Sequence, residues 1–256
     1  MSSTKVSLPV AVAAAALSAL AAFAVASASK KRTKKVPPIK LTYFGIQGEA
    51  EKVRLAFTLG NIPFEDVVVP FSEWKELKSK TPYGQLPLLQ IGEEEPMAQS
   101  YAMLRIAGRM SNGRDVFADE DVPAIEEALG FVADIERSWR IPVGIGIGPA
   151  KYGYEKGTEE TNAAIKRVRE TWVKEDCRNF MSLLTKKLEG KKFLIGSKVT
   201  IADCALVPKL NRMMSGGVDH VPTTCLDDFP VVKEYVSRFM SLKEVAAKHT
   251  ATYVKK

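Results

Sequence analysis

The sequence predicts a protein of two folded domains, the first mixed α/β and the second all helical. Three observations support this fold class. The chain has 256 residues, of which 46% are apolar and 26% charged, an ordinary globular composition long enough for one or two domains. Strand-like and helical patterns alternate over residues 39–110, and only helical patterns follow from residue 122. We place the domains at residues 36–113 and 119–256, behind a leader at 1–35.

The first domain has the order strand, helix, strand, helix, strand, strand, helix. Alternation and β-forming residues predict strands at 39–44 and 64–69, and helical spacing predicts helices at 49–60 and 71–79. A hairpin follows, with strands at 87–91 and 96–98 around a turn at 92–95, and then a helix at 99–110.

The second domain is read from apolar residues repeating every three or four positions. This period predicts helices at 122–139, 159–189, 200–215 and 230–248. Thr200 and Asp203 have the spacing of a capping box at one helix start. Residues 141–157 fit neither period and are expected to form a flexible loop. Their glycines are not a dinucleotide fingerprint, because no strand precedes them.

Charge and cysteine content exclude several classes of protein. Of the 37 basic residues, six lie in residues 1–35, which contain no acid, so residues 36–256 carry 31 basic against 30 acidic groups. A nucleic-acid binder needs a basic surface to displace counterions, so no nucleic-acid partner is expected. Three cysteines without CxxC spacing and two histidines predict neither a disulfide framework nor a zinc site. The odd number of cysteines suits a reducing compartment.

The leader is either a targeting signal or a membrane anchor. Residues 6–28 carry no charge and are about long enough to cross a hydrocarbon core of ~30 Å. Residues 26–28 also have the small-residue pattern of a cleavage site, which would send the protein to the secretory pathway or an organelle. The basic residues between 30 and 35 favour an anchor with the folded domains in the cytoplasm. We therefore expect a membrane-associated protein.

Four segments, taken together, carry a family resemblance. Residues 40–44 read KLTYF, residues 74–78 read WKELK and lead into PYGQLP at 82–87, Gln99 and Ser100 open a helix, and residues 193–203 read FLIGSKVTIAD. With this order and spacing, residues 39–250 resemble the glutathione transferases. The resemblance is closest to the sigma type, which includes glutathione-dependent prostaglandin D synthases.

The resemblance implies a thioredoxin-like βαβαββα domain followed by an all-α domain, and a homodimer. It implies an enzyme that conjugates the glutathione thiolate to hydrophobic electrophiles, with glutathione as co-substrate and no metal or prosthetic group. Peroxide reduction and isomerisation of a lipid endoperoxide remain open.

Tyr43 is similar to the catalytic tyrosine of this family. A thiol such as that of glutathione has a pKa of about 8.5, and the thiolate is the nucleophile. A hydroxyl that donates to the sulfur favours the anion and lowers that pKa. The resemblance assigns this donor to Tyr43, which could otherwise only pack at its strand end.

The other glutathione contacts are also implied by the resemblance. A cis bond before Pro87 turns the backbone of Leu86 toward the cysteinyl unit. Gln99 and Ser100 meet the γ-glutamyl carboxylate at a helix start, where free N–H groups suit an anion. Ser100 could also be a plain N-terminal cap.

The remaining glutathione contacts involve the two ends of the ligand. Trp74 and Lys78 resemble the pair that meets the glycyl carboxylate, although Trp74 could be core and Lys78 solvated surface. Asp134 is the candidate acid that one subunit presents to the γ-glutamyl ammonium bound in its partner.

Two positions depart from the sigma pattern. Glu49 stands where those enzymes have an arginine, and Gln85 stands where a lysine is frequent. A carboxylate near Tyr43 is expected to disfavour a thiolate, and Arg54 could compensate. The alternative function is therefore a weakly active or non-catalytic protein that binds glutathione or hydrophobic ligands. A thiol oxidoreductase is disfavoured, because residues 39–111 contain no cysteine.

Overall fold

The first domain is built on a three-stranded sheet. The structure, a computed structural model, describes the backbone of residues 37–253 and the side chains of residues 37–248; the leader lies outside them. Strand β1 (Ile39–Phe44) is central, with β2 (Glu65–Val69) parallel on one side and β3 (Leu88–Ile91) antiparallel on the other. The strand expected at 96–98 is reduced to one bridge between Met97 and Leu89. Pro96 lacks the N–H that a longer ladder needs.

Three helices complete this domain: α1 (Glu51–Leu59), the short α2 (Trp74–Leu77) and α3 (Ser100–Arg109). Eight of the nine residues of α1 are buried, because it packs both on α3 and on the helical domain. The buried set includes the charged residues Glu51, Lys52 and Arg54. Charged groups in such positions need partners, and these partners define the site described below.

The helical domain contains seven α-helices within the described residues. They are α4 (Val122–Ser138), α5 (Arg140–Ile147), α6 (Glu159–Trp172), α7 (Arg178–Leu188), α8 (Ile201–Met214), α9 (Pro230–Met240) and α10 (Lys243–Tyr253). A π-helical turn, Val173–Cys177, joins α6 to α7. The single helix expected at 230–248 is divided after Met240, where the Leu242 N–H donates to the Phe239 carbonyl three positions back and interrupts the α-helical pattern.

The expectation of a loop over 141–157 is wrong. Helix α5 covers its first half, and a 3₁₀ turn, Pro149–Tyr152, follows. A side chain at Gly144 would collide with the Tyr152 hydroxyl, and one at Gly146 with the Arg169 guanidinium. The Arg169 guanidinium also donates to the Pro142 carbonyl. These glycines therefore allow close packing, and they do not mark a flexible chain.

The predicted capping box at the start of α8 is confirmed. The fully buried carboxylate of Asp203 accepts hydrogen bonds from the N–H groups of Thr200 and Leu194, at 2.7 and 3.0 Å. The Tyr235 hydroxyl donates to it at 2.8 Å. Asp203 thereby ties α8 to α9 and to the segment before it.

Candidate active site

Tyr43 lies at the end of β1, with 7% of its surface exposed. Its hydroxyl oxygen accepts a hydrogen bond from the Glu49 N–H at 3.1 Å. Gly48, with a φ of +42°, passes so close to this hydroxyl that a Cβ there would collide with it. Burial raises the pKa of Tyr43 above its usual value of 10.0. The phenol is therefore protonated near neutral pH and able to donate to an anion.

Arg54 fixes the loop behind Tyr43. Its guanidinium forms an ion pair with Asp66 at 2.8 Å and donates to the carbonyls of Ile46 and Gln47, at 2.8 and 3.2 Å. It lies 5.8 Å from the centre of the Tyr43 ring. Arg54 is therefore a cation near Tyr43 that also holds the loop leading to Glu49, and its compensating role stays a prediction.

Glu49 belongs to an interdomain charge cluster, made of Glu49 and Lys52 from the first domain with Glu136 of α4 and Lys209 of α8. The Glu49 carboxylate lies 2.5 Å from the Lys52 ammonium and 3.4 Å from that of Lys209. Glu136 closes the cluster, 2.8 Å from Lys209 and 3.5 Å from Lys52. Each acid thus meets both lysines.

The charge cluster decides the ionisation of Glu49. Partial desolvation of this half-exposed side chain raises its pKa, but the charges of Lys209 and Lys52 outweigh the desolvation and hold the pKa at about 2. Glu49 is therefore ionised at neutral pH, and its charge is balanced by two cations. The expected repulsion between Glu49 and a thiolate is correspondingly weakened.

Ser100 begins α3 beside this cluster. Its hydroxyl oxygen lies 3.3 Å from the Lys52 ammonium, and the hydroxyl donates to Glu49 at 3.4 Å. The preceding residue, Gln99, has a φ of +82°, and its side-chain amide donates to Gln85 at 3.3 Å. The structure therefore brings Gln99 and Ser100 to the site, and it places the departing residue Gln85 in contact with Gln99.

The Leu86–Pro87 bond is cis, as the resemblance implies. It precedes β3, which pairs with the strand that carries Tyr43. Thus Leu86 lies just before the strand that neighbours the one carrying Tyr43.

Trp74 and Lys78 lie in and just after α2. The Trp74 ring meets Phe44 edge to face, with ring centres 5.7 Å apart, and remains partly exposed. The aliphatic part of Lys78 runs beside Gly84. Both the packing and the ligand-binding interpretation of Trp74 are compatible with this position.

Asp134 is exposed on α4, where it forms an ion pair with Arg137 at 2.7 Å. Its role toward a partner subunit stays a prediction. Glu136, two residues further along the same helix, contacts the site within the chain and was not predicted. Lys52 and Lys209 were missed as well. Only the i,i+3 spacing of Glu49 and Lys52 is visible in the sequence.

The side chains of residues 37–248 include no group of three or more His, Cys, Asp or Glu placed to hold a metal. No helix within residues 37–253 has both the length and the hydropathy required to cross a bilayer. The predicted anchor falls in the leader, outside the described residues.

The fold and the site define a class of protein: a small domain with a buried tyrosine and a cis-proline loop, joined to a helical bundle. Two family models match the chain, the glutathione S-transferase N-terminal domain at residues 48–113 and the C-terminal domain at residues 169–243. The chain belongs to the glutathione S-transferase family. The predicted family and fold class are thereby confirmed.

Individual relatives agree with this assignment. Glutathione S-transferase 1 of Ascaris suum is 33% identical over 180 residues, which cover 68% of this chain and 80% of that protein. The crystal structure of the glutathione S-transferase from Ascaris lumbricoides superposes with a TM-score of 0.62 and 27% identity, covering 84% of this chain and 97% of that one. Rat hPGDS, complexed with a quinoline, shares the fold with a TM-score of 0.67 at 19% identity, covering 84% and 96%. The protein is a glutathione transferase, and glutathione is its co-substrate.

Proposed function

We propose that the protein conjugates the glutathione thiolate to hydrophobic electrophiles at Tyr43. The observation that supports this most directly is the buried, protonated Tyr43 hydroxyl, held in place by the Glu49 N–H. When glutathione binds, its thiol proton passes to solvent and the Tyr43 hydroxyl donates to the sulfur anion. The sulfur then forms a bond to the electrophilic carbon, and the leaving group departs with its electron pair.

In this proposal, glutathione lies along the edge formed by Leu86, Pro87, Gln99 and Ser100. Trp74 and Lys78 meet its glycyl carboxylate, and the electrophile lies against the helical domain. The enzyme acts as a homodimer, in keeping with a family that is commonly dimeric. Sedimentation of the purified protein tests the dimer, since a single species of monomer mass at micromolar concentration contradicts it.

The activity is tested with the intact protein purified in detergent. Conjugation of glutathione to an aryl halide is expected, and an organic hydroperoxide and a prostaglandin endoperoxide measure whether peroxidase or isomerase activity accompanies it. Glutathione binding without turnover of any of the three would favour the non-catalytic binding protein.

The leader supports a further proposal on location. We propose that residues 6–28 carry the enzyme to a membrane with the folded domains facing the cytoplasm, because this stretch is uncharged and is followed by basic residues. Protease added to intact and to opened vesicles tests the orientation, and amino-terminal sequencing of the natural protein shows whether the leader is cleaved. Cleavage after residue 28 would favour the secretory or organellar alternative.

A further inference from the structure

An acceptor and a donor for a single amino-acid group lie side by side at the start of α3. The Glu49 carboxylate and the Ser100 hydroxyl are 3.4 Å apart. The carboxylate can only accept hydrogen bonds, whereas the hydroxyl can donate one to an anion. The free N–H groups at the start of the helix can also donate to an anion. The α-ammonium and α-carboxylate of a γ-glutamyl unit are attached to one carbon, and so they need neighbouring groups of this kind.

Lys52 holds these two groups in position. Its side chain is 2% exposed, and its ammonium lies over the Tyr101 ring, 4.1 Å from the centre. It donates to the Glu49 carboxylate at 2.5 Å and to the Ser100 hydroxyl oxygen at 3.3 Å. Because Ser100 accepts from Lys52, its own proton is directed elsewhere, toward Glu49 or toward a ligand.

Glu49 has the capacity and the exposure to receive a ligand cation. A carboxylate offers about four acceptor positions. Lys52, Ser100 and Lys209 occupy three of them. The side chain is 49% exposed, unlike that of Lys52. A cation can therefore approach Glu49 from solvent while both lysines stay in place, and the Ser100 proton is free to turn from Glu49 to the ligand carboxylate.

The charge balance of the cluster favours a zwitterion over a simple anion. Two acids and two lysines are joined by contacts of 2.5 to 3.5 Å, so that their formal charges cancel. The Lys52 ammonium attracts a ligand carboxylate at Ser100, and the Glu49 carboxylate attracts a ligand ammonium, because both groups lie within 3.4 Å of the Ser100 hydroxyl oxygen. A ligand that carries both charges leaves the balance unchanged.

We propose that Glu49 accepts from the α-ammonium of glutathione, with Lys52 as a positioning residue. The α-carboxylate of the same unit lies at Ser100 and the start of α3, as the resemblance implies. This inference rests on the proposed function and adds a specificity-determining residue to it. It also places the acid for the ammonium in the same chain, whereas the resemblance assigns that task to the partner subunit's Asp134.

The test compares two ligands that differ only in the ammonium: glutathione, and its analogue with a glutaryl group in place of the γ-glutamyl group. Calorimetry on the intact protein is expected to show glutathione binding roughly tenfold to hundredfold more tightly, the range of one hydrogen bond to a charged group. Glu49→Gln is expected to bring this ratio close to one. Ser100→Ala is expected to weaken both ligands alike and leave the ratio unchanged.

Two further variants separate recognition from loss of structure. Glu136→Gln removes the other carboxylate of the charge cluster, so a ratio that survives there but not in Glu49→Gln is specific to Glu49. Glu49→Asp keeps the charge but withdraws the carboxylate by one methylene; it is expected to lower the ratio and serves if Glu49→Gln does not fold.

Each outcome has a separate meaning. Wild-type protein that binds neither ligand overturns the proposed function. Wild-type protein that prefers glutathione, with a ratio unchanged by the Glu49 variants, overturns this inference and leaves the function standing. If Asp134→Asn loses the preference for glutathione and Glu49→Gln keeps it, the acid that binds the ammonium is the partner subunit's Asp134, and this inference is overturned.

Discussion

Tyr43→Phe removes a single oxygen from the site and keeps the ring that packs beneath it. The lost hydroxyl is a donor to an anion in a buried position, with 7% of the tyrosine surface exposed. A hydrogen bond to a charged group contributes about 1.5–3 kcal/mol, which corresponds to a rise of about one to two units in the pKa of the bound thiol. Turnover is expected to fall roughly tenfold to thousandfold, the range for a single donor that stabilises a developing anion.

The same change should barely alter glutathione affinity, because the amino-acid and glycyl ends keep their contacts. It also leaves the Glu49 N–H without its acceptor at 3.1 Å, so a loss of about 1 kcal/mol in the free energy of unfolding is expected. Thiolate absorbance of bound glutathione, titrated against pH, measures the thiol pKa, and steady-state kinetics measures turnover.

Tyr235→Phe is the matched control. It removes the same atom from a buried tyrosine whose hydroxyl donates to Asp203 at 2.8 Å, in the helical domain. It should lower stability without changing the thiol pKa. If Tyr43→Phe leaves both turnover and thiol pKa unchanged, Tyr43 is a packing residue, and the reasoning from its hydroxyl is refuted.

Three further outcomes are expected. Asp203→Ala strands the N–H groups of Thr200 and Leu194 in the core and should cost about 3–5 kcal/mol of unfolding free energy, measured by urea denaturation; a loss below about 1 kcal/mol contradicts this. Burial lowers the pKa of Lys248 to about 8 from its usual 10.5, so the contribution of Lys248 to stability should rise as the pH increases from about 8 to about 10.5. The stability of the wild type relative to Lys248→Met should therefore rise over this range in urea denaturation, and a difference that does not change with pH contradicts the assignment. Deletion of residues 1–35 should move the protein from the membrane to the soluble fraction, and an intact protein already recovered in the soluble fraction contradicts the anchor.

Local patterns were sufficient for most of the fold and for the residues that the family shares. The alternation over residues 39–44 specifies β1 and hence the location of Tyr43, and the Thr200 to Asp203 spacing specifies the start of α8. The failure over residues 141–157 arose because side-chain packing decides the structure there. Gly144 and Gly146 looked like a loop because the groups that fill the space beside them come from Tyr152 in the following turn and from Arg169 on another helix.

The site shows the same division between local and distant effects. Glu49 alone suggests repulsion of the thiolate, since its neighbours in sequence include only one partner, Lys52. The second cation, Lys209, is 160 positions away, and Glu136 is 84 positions from Lys52. Such pairings depend on how helices pack, and no periodicity records them. The sequence could therefore identify the departure at position 49 but not its electrostatic consequence.

The burial of α1 limits which chimeric proteins can be made from this chain. Because this helix packs at once on α3 and on α8, and its Lys52 depends on Glu136 for part of its charge balance, the two halves of the chain fold as partners. Residues from Pro37 onward form a single compact unit. A chimera that joins residues 36–113 to the helical half of a relative would keep Glu49 beside the buried Lys52 but lose the second acid, unless the donor supplies an equivalent of Glu136. Exchange of the helical half of this chain for that of a relative is therefore limited by this contact.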